Sequence, residues 1–443
     1  MRPSNRRRYS PIVTLLLGAL QFHLASPVMA QPVPGLSDVE QLGKSIFFDP
    51  RLSLNGNQSC AACHDPDWGW TGPDSNTNAL GSVYEGSIAG RFGNRKPPSS
   101  AYATFSPIFH LDAAGPQAKN PSFVGGNFWD GRATGEKLGN PAADQAQGPF
   151  LNPVEQALPD SACVIYRICD PDDSYPVTLT EVAGPELCAI DWPADIETNC
   201  ATEGGIVGLD PEDRSRVGEA YDTIALAIAM YEASPESNAF TSKFDYAQRS
   251  MVKLTAQERW GRNLFLGKAK CARCHTMNPR QGALFTDFTY DNLGLPRNPD
   301  NPWYDMLAFN PLGPDWIDLG LGGFLDSRID YQHYAAESNG KHKVPTLRNV
   351  DRRPFPGSVK AFGHNGYFKT LKQIVHFYNT RDIKPICPDP FTPVEMAIMA
   401  DCWPEPEVDV NINTEELGDL GLSEAEEDAI VAFMKTLSDG FNP

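Results

Sequence analysis

Two short runs of the chain carry residues that can bind a redox cofactor. They read Cys60-Ala61-Ala62-Cys63-His64 and Cys271-Ala272-Arg273-Cys274-His275, and each is a C-x-x-C-H motif, the attachment signature of a c-type haem. The two thiols are spaced to bond the vinyl groups of one haem, and the adjacent His then reaches the iron. A C-x-x-C pair also occurs in redox dithiols and zinc sites, but a dithiol does not need the His and a zinc site needs a second Cys pair close by. The sequence therefore predicts two covalently bound haem c groups.

An internal repeat precedes these motifs and predicts the helices that position them. Residues 36–48 align without gaps with residues 254–266. Both segments open with a capping box, a Ser or Thr followed three residues later by Glu, which starts a helix by satisfying its free N–H groups. Apolar periodicity and further boxes predict three more helices, at about 217–233, 370–379 and 423–437.

The repeat predicts a mainly α fold with two cytochrome c-like haem domains. We expect an N-terminal domain over residues 31–215 and a C-terminal domain over 216–443. The 37 Gly and 39 Pro of the chain indicate long structured loops around the haems. Residues 156–212 carry four cysteines and little periodicity, which predicts a disulfide-stapled insertion. This insertion is either a structural staple or part of a docking surface.

The start of the chain is typical of an export signal. Residues 1–30 combine four Arg, a short apolar stretch and small residues before Gln31, which predicts a cleaved signal peptide and a periplasmic protein. No stretch is long enough to predict a membrane span. Removal of this segment takes the formal charge from −19 to −23, because it contains no acidic residue. That charge argues against nucleic acid as a partner and suits a basic redox protein.

Six cysteines remain once the four haem thiols are set aside. They are Cys163, Cys169, Cys188, Cys200, Cys387 and Cys402. In an oxidising compartment an even number predicts three disulfides. Proximity along the chain favours Cys387 with Cys402 and pairing among the first four, whose order stays open.

Several ordered motifs lie between and after the haem motifs. They are Phe128-Trp129-Asp130-Gly131-Arg132, Gln145-Ala146-Gln147-Gly148-Pro149, Asn152-Pro153-Val154-Glu155, Val344-Pro345-Thr346-Leu347-Arg348-Asn349 and Leu371-Lys372-Gln373-Ile374-Val375-His376-Phe377-Tyr378. In this order they resemble the bacterial di-haem cytochrome c peroxidases and their relative MauG, which oxidises a partner protein. The resemblance covers almost the whole mature chain.

The resemblance implies roles for residues around the first haem. That haem, bound through His64, would be the peroxidatic one, with Glu155 as the distal acid–base group and Gln145 in the distal pocket. Trp129 would lie between the haems and relay electrons. Outside this context Glu155 reads as a solvated loop carboxylate, and Trp129 reads as a core residue.

The sixth ligand of the second haem separates the subclasses of the family. Conventional members place a Met at the eighth position of the helix that begins like Leu371, whereas this chain places Tyr378 there, which is the MauG-like choice. A phenolate stabilises ferric and higher iron states, and a thioether stabilises ferrous iron. His376 is a competing ligand, but a position two residues away on a helix points to a different side.

Two further departures concern the first haem and a bound ion. Residues 65–109 contain no His, whereas conventional members carry one there that closes the resting iron, so the first haem is expected to be five-coordinate. The family holds calcium with an Asn after the first motif and with a T-x-P segment after L-R-N. Here these segments read Asn94-Arg95-Lys96-Pro97-Pro98 and Asp351-Arg352-Arg353-Pro354. The Thr is absent and the added positive charges repel a cation, so a calcium site is in doubt.

These observations together predict an exported di-haem peroxidase of the MauG-like subclass. We expect it to reduce hydrogen peroxide at the first haem and to draw electrons through the second. The donor is either a Trp or Tyr on a dedicated protein substrate, which Tyr378 favours, or a small redox protein, which would make the enzyme a peroxide scavenger. A plain electron-transfer cytochrome would need both irons to be fully coordinated by strong protein ligands, and it would have no use for Glu155.

Overall fold

The predicted capping boxes begin four helices of the structure, a computed structural model that describes residues 35–112, 122–170, 175–277 and 282–443. At Ser37 and Thr255 the N-cap side chain and the Glu three residues later bond each other's backbone N–H groups. The same reciprocal bonds occur at Thr370 and Ser423. The helices predicted from these boxes are thereby confirmed. The predicted signal peptide, residues 1–30, lies outside the described residues.

The described residues are mainly helical. The α-helices are α1 (Asp38–Phe48), α2 (Ser75–Ala79), α3 (Pro141–Ala146), α4 (Gly148–Leu151), α5 (Ser161–Ile168), α6 (Leu179–Ala183), α7 (Ile196–Cys200), α8 (Pro211–Ala233), α9 (Lys243–Gln248), α10 (Ala256–Leu266), α11 (Leu321–Asp326), α12 (Ala335–Ser338), α13 (Leu371–Thr380), α14 (Val394–Met399) and α15 (Glu424–Lys435). Two small antiparallel pairs join β1 (His110–Asp112) to β2 (Ser122–Val124) and β3 (Tyr290–Asp291) to β4 (His342–Lys343). The long stretches between helices follow from the Gly and Pro content.

The internal repeat is visible as two matching helix pairs, α1 on α8 and α10 on α15. Each pair makes its close approach at a glycine. A Cβ on Gly43 would lie 1.9 Å from the carbonyl oxygen of Ala227, and a Cβ on Gly261 would lie 1.8 Å from that of Ala429. Because no side chain fits at such a distance, the glycines fix how closely the helices cross.

Aromatic rings lie beside each crossing at equivalent places. In the first pair the rings of Phe47 and Tyr231 are 5.6 Å apart, and in the second pair those of Phe265 and Phe433 are 5.3 Å apart. Each pair belongs to its own hydrophobic core, the first built mainly from residues before 232 and the second from residues after 243. The predicted boundary at 215 and 216 falls inside α8, whose buried face belongs to the first core.

The six remaining cysteines form three disulfides, Cys163–Cys200, Cys169–Cys188 and Cys387–Cys402. The predicted Cys387–Cys402 pair and the pairing among the first four cysteines are confirmed. The segment 156–212 contains three α-helices, and α5 is buried in the first core. Among the described residues no helix combines the length and apolar character that a bilayer crossing requires.

Candidate functional site

The first C-x-x-C-H motif begins with a single 3-10 turn, Cys60–Ala62, that presents its His inward. The backbone N–H of His64 donates to the carbonyl oxygen of Cys60 at 3.0 Å, and its Nδ1 lies 3.2 Å from the carbonyl oxygen of Trp70. Burial lowers the pKa of His64 to about 4. The ring is therefore neutral, and with Nδ1–H bonded to a carbonyl its Nε2 lone pair is available to a metal.

The second motif repeats this geometry. It begins with the 3-10 turn Cys271–Arg273, and the N–H of His275 donates to the carbonyl oxygen of Cys271 at 2.9 Å. The Nδ1 of His275 lies 2.9 Å from the carbonyl oxygen of Phe285, and burial lowers the pKa of the ring. The four motif cysteines form no disulfide in the structure, so each motif offers two thiols and one metal-binding nitrogen.

One internal cavity joins the two motifs, with about 3020 Å³ of empty space including its opening to solvent. Its lining contains all the predicted site residues except Cys60, namely Cys63, His64, Trp129, Gln145, Glu155, Cys271, Cys274, His275 and Tyr378. Cys60 packs against the first core. The structure thus brings together residues that lie up to 315 positions apart in the chain.

The lining also suits the carboxylates that a haem carries. Lys96 and Lys343 both line the cavity, and burial lowers the pKa of each ammonium group to about 7. A buried cation gains from an anionic neighbour because its own desolvation is then offset. Thiols, free imidazole nitrogens and buried ammonium groups are the set that a covalently attached haem requires, so the residues present fit this cofactor. Sequence reasoning missed the two lysines. The only sequence signal for them is a charged side chain directly before Pro97-Pro98 in one case and before Val344-Pro345 in the other.

Glu155 follows the short helix α4 in a tight turn. Its N–H donates to the carbonyl oxygen of Asn152 at 3.0 Å, and its own carbonyl oxygen accepts from the N–H of Ser87 at 2.6 Å. Burial raises the pKa of the Glu155 carboxyl, although the nearby Arg132 guanidinium and the Asn152 side chain oppose the shift. A carboxyl in such surroundings holds a proton to higher pH than a solvated one, which suits a proton carrier.

Trp129 is fixed between the segment that follows the first motif and the strand β4. It is 8% exposed, and its Nε1 donates to the carbonyl oxygen of Lys96 at 2.8 Å. Its own carbonyl oxygen accepts from the N–H of Lys343 at 2.8 Å. The indole therefore has a single held position against the shared cavity.

Tyr378 and His376 occupy different sides of α13. Tyr378 lines the cavity, where burial and the motif cysteines raise the pKa of its phenol. His376 instead has Nδ1 2.9 Å from Glu427 Oε1 and Nε2 2.8 Å from Lys384 Nζ. Both of its ring nitrogens are engaged away from the cavity, as the helical spacing predicts.

The segments compared with the family's calcium site surround buried ammonium groups. The Nζ of Lys360 donates to three backbone carbonyl oxygens, those of Trp68 at 2.7 Å, Asn349 at 3.2 Å and Arg352 at 2.9 Å. Lys96 lies close enough to lower the pKa of Lys360 further by charge repulsion. An ammonium group thus makes the carbonyl contacts in this region that a bound cation would otherwise make.

Comparison with known proteins gives one consistent family. Residues 37–252 match the family described as di-haem cytochrome c peroxidase. The chain is 34% identical to the methylamine utilization protein MauG of Paracoccus denitrificans, covering 94% of this chain and 92% of that protein. It is 26% identical to the cytochrome c551 peroxidase of Nitrosomonas europaea, with 82% and 81% covered.

Solved structures agree with these relatives. The di-haem peroxidase BthA from Burkholderia thailandensis superposes with a TM-score of 0.65 at 28% identity, covering 91% of this chain and 86% of that one. A MauG-like protein associated with microbial copper homeostasis gives a TM-score of 0.55 at 19% identity, covering 95% and 96%. The second likeness concerns the fold alone.

Proposed function

The chain belongs to the di-haem cytochrome c peroxidase and MauG family and is a peroxidase-type oxidoreductase, and on this premise we propose that it is MauG-like. It reduces hydrogen peroxide on the His64 side of the cavity and takes the electrons from a Trp or Tyr of a partner protein. The observation that carries this proposal is the asymmetry of the two motifs. Tyr378 lines the cavity that holds the second motif, whereas the 45 residues after the first motif contain no His.

Two haem c groups are held by the residues of the two motifs. Cys60 and Cys63 attach the first and His64 ligates its iron, and Cys271, Cys274 and His275 do the same for the second. Tyr378, which lines the cavity shared by the motifs, would offer its phenolic oxygen as a further ligand of the second haem. Bound haem supplies iron that changes oxidation state, which no side chain of the cavity does on its own.

Glu155 moves the proton that peroxide reduction requires. Its carboxylate oxygen would take the proton from one peroxide oxygen and deliver it to the other, which leaves as water. The first oxygen would also become water once two protons and the two electrons drawn from the partner protein have reached it. Partial burial, the Arg132 charge and the fixed backbone at Asn152 and Ser87 hold the group ready for this exchange. Gln145 lines the same cavity as Glu155 and orients peroxide by hydrogen bonding.

Trp129 relays electrons between the two sides of the cavity. The bonds of its Nε1 to Lys96 and of its carbonyl to Lys343 hold it against segments of both halves. Its burial excludes water from the ring and so protects it from side reactions.

The two halves act as two cytochrome c-like domains, and we assign the whole of α8 to the first because its buried face belongs to the first core. Export to the periplasm accounts for the three disulfides and for haem attachment outside the cytoplasm. The net acidic charge suits a basic partner surface. The segment 156–212 acts as a staple of the first half, since α5 is part of its core.

A conventional peroxide scavenger fed by a small redox protein is the second candidate. The similarity to the cytochrome c551 peroxidase supports it, although the identity to MauG is higher and the match is longer. A plain electron-transfer cytochrome is less consistent with a buried carboxyl at Glu155. The donor is where the two enzyme candidates differ.

Spectroscopy of the resting ferric holoenzyme tests the proposal. We expect one high-spin and one low-spin haem, together with a spectral change on peroxide addition that outlasts mixing. Tyr378→Phe should change only the low-spin signal, and Tyr246→Phe, whose ring lies outside the cavity against Phe441, should change neither. Two low-spin haems that are inert to peroxide would refute both enzyme candidates. A second haem that must be reduced before peroxide reacts would favour the scavenger.

A further inference from the structure

Four side chains that the proposed function does not use meet beside Trp129. They are Asp318, His342, His364 and Glu407. All four are buried, with at most 9% of each residue exposed. The ring of His364 lies 6.4 Å from that of Trp129 and stacks on His342 at 3.5 Å. They come from four separate segments, so only the tertiary fold brings them together.

Carboxylate oxygens and unpartnered imidazole nitrogens of this cluster face one another. The Nδ1 of His342 lies 3.1 Å from the carbonyl oxygen of Gly340, and a carbonyl only accepts, so this nitrogen carries the proton of the neutral ring. Its Nε2 is then a lone pair, and it points at Asp318 Oδ2 from 3.4 Å. The Nε2 of His364 lies 3.9 Å from the same oxygen and 3.7 Å from Glu407 Oε2. Neither Nε2 has a hydrogen-bond partner among the described residues.

The spacing of these atoms is close to that of a metal's ligands. Nitrogen and oxygen ligands at 2.0–2.2 Å around a tetrahedral ion lie about 3.3–3.5 Å from one another. One ligand atom each of Asp318, His342 and His364 lie within 4.8 Å of one another, with two of the separations at 3.4 and 3.9 Å, and Glu407 Oε2 lies 3.7 Å from His364 Nε2. The two imidazole rings are stacked within 8° of parallel, so binding one ion requires the rings to turn until both Nε2 lone pairs point at it.

The surrounding charges favour a cation over an anion. Arg95 donates from Nε and Nη2 to both oxygens of Asp318, at 2.6 and 2.7 Å, and from Nη1 to Asp130 at 2.5 Å. Arg132 also pairs with Asp130. Within the cluster these two guanidinium groups are matched by the two aspartates and Glu407 adds one further carboxylate, while Lys96 and Lys343 line the same cavity with their Nζ atoms bonded to other residues. A haem carboxylate placed among the cluster atoms would add to the negative charge there, and a divalent ion would reverse it.

The supporting contacts resemble those that hold metal ligands in place. The Gly340 carbonyl fixes the tautomer of His342, and Arg95 fixes the carboxylate of Asp318. Glu407 Oε1 accepts from the backbone N–H of Asp318 at 3.1 Å, which leaves Oε2 for the cluster. Such outer contacts orient ligands and set their basicity.

We propose that Asp318, His342, His364 and Glu407 bind one divalent transition-metal ion of the Zn²⁺ class, in addition to the haem irons. Asp318, His342 and His364 form the group with mutual ligand spacing and Glu407 lies beside His364; two imidazoles and two carboxylates are a ligand set that Zn²⁺ accepts. The ion places fixed positive charge beside Trp129 and joins four segments of the second half. This proposal does not depend on which electron donor the enzyme uses.

Metal analysis of the holoenzyme tests it. The protein is treated with a chelator, incubated with Zn²⁺ and desalted, and zinc and iron are then measured against protein. We expect one zinc per chain beside the iron of two haems. His342→Asn and Glu407→Gln should each lower the zinc content at least tenfold without loss of haem, and His333→Asn, an exposed His outside the cluster, should leave it unchanged.

Two results of the metal analysis would overturn the proposal. One is wild-type holoenzyme that keeps less than a tenth of a zinc per chain after loading, and the other is unchanged zinc in both cluster variants. X-ray absorption of the zinc-loaded wild type gives a readout that needs no variant. It should show imidazole nitrogen and carboxylate oxygen ligands, and a zinc ion without imidazole ligands would lie outside the cluster and overturn the proposal.

Discussion

A buried carboxyl on α8 should make the stability of this protein fall as the pH rises. Glu232 is 4% exposed and lines the cavity, and burial raises the pKa of its carboxyl from 4.5 to about 8. The folded protein therefore keeps a proton that the unfolded chain releases above about pH 4.5. The stabilising contribution is fully present below that pH and is lost progressively as the pH rises to about 8.

The size of the effect follows from the shift. Each pH unit inside this window costs about 1.3 kcal/mol, so the free energy of unfolding should fall by about 2.5 kcal/mol between pH 5 and pH 7 on account of Glu232 alone. Glu232→Gln removes the titration. Other groups contribute equally to both proteins, so the difference between wild type and variant isolates this carboxyl.

Urea unfolding of the holoenzyme at several pH values measures this difference. The free energy of unfolding of Glu232→Gln, relative to that of the wild type, should rise steadily from pH 5 to pH 7. Glu219→Gln, on the exposed face of the same helix, is the matched control and should run parallel to the wild type. Parallel curves for Glu232→Gln would refute the reasoning, because they would show that this carboxyl titrates alike in the folded and unfolded chains.

Three further perturbations have defined outcomes. Gly261→Ala should lower the free energy of unfolding by about 1–3 kcal/mol through overpacking at the helix crossing, whereas Gly218→Ala, with open space around it, should leave it unchanged or raise it; thermal unfolding compares the two. Replacing Cys387 and Cys402 by Ser opens a 15-residue separation and should cost about 3 kcal/mol, measured by urea unfolding. Glu155→Gln should lower the rate of peroxide consumption by about 10²–10⁴-fold in a stopped-flow assay, and an unchanged rate would remove Glu155 from the chemistry.

Local signals in the sequence predicted much of the framework. Capping boxes act over three residues, so the starts of α1, α10, α13 and α15 could be read directly. The Cys387–Cys402 pair was predictable for the same reason, because the two cysteines are near neighbours in the chain. Apolar periodicity predicts a start of α8 at about 217, whereas the helix begins at Pro211. The better signals of its start are the N-cap Asp210 and the Pro that follows it.

Non-local packing decided what the sequence did not predict. The helix α5 spans eight residues, too few for periodicity to distinguish it from a loop, and it is fixed by the Cys163–Cys200 disulfide and by the first core. The cluster around Asp318 and His364 draws on segments far apart in the chain, with no spacing rule to connect them. Sequence reasoning found the residues near each haem motif and missed those that meet only in three dimensions.

The two glycine crossings have a consequence for the peptide link at residues 248–251. In each half the first helix closes on the last, and the exposed residues 248–251, which run from the end of α9 towards α10, lie outside both crossings. Phe244, which precedes this link, packs in the second core, and Asp245 pairs with Arg348, so contacts other than the link hold the two parts of the chain together. A single cut in this link should leave both fragments associated and each fragment with its own thiols, its own histidine and its own pair of crossed helices.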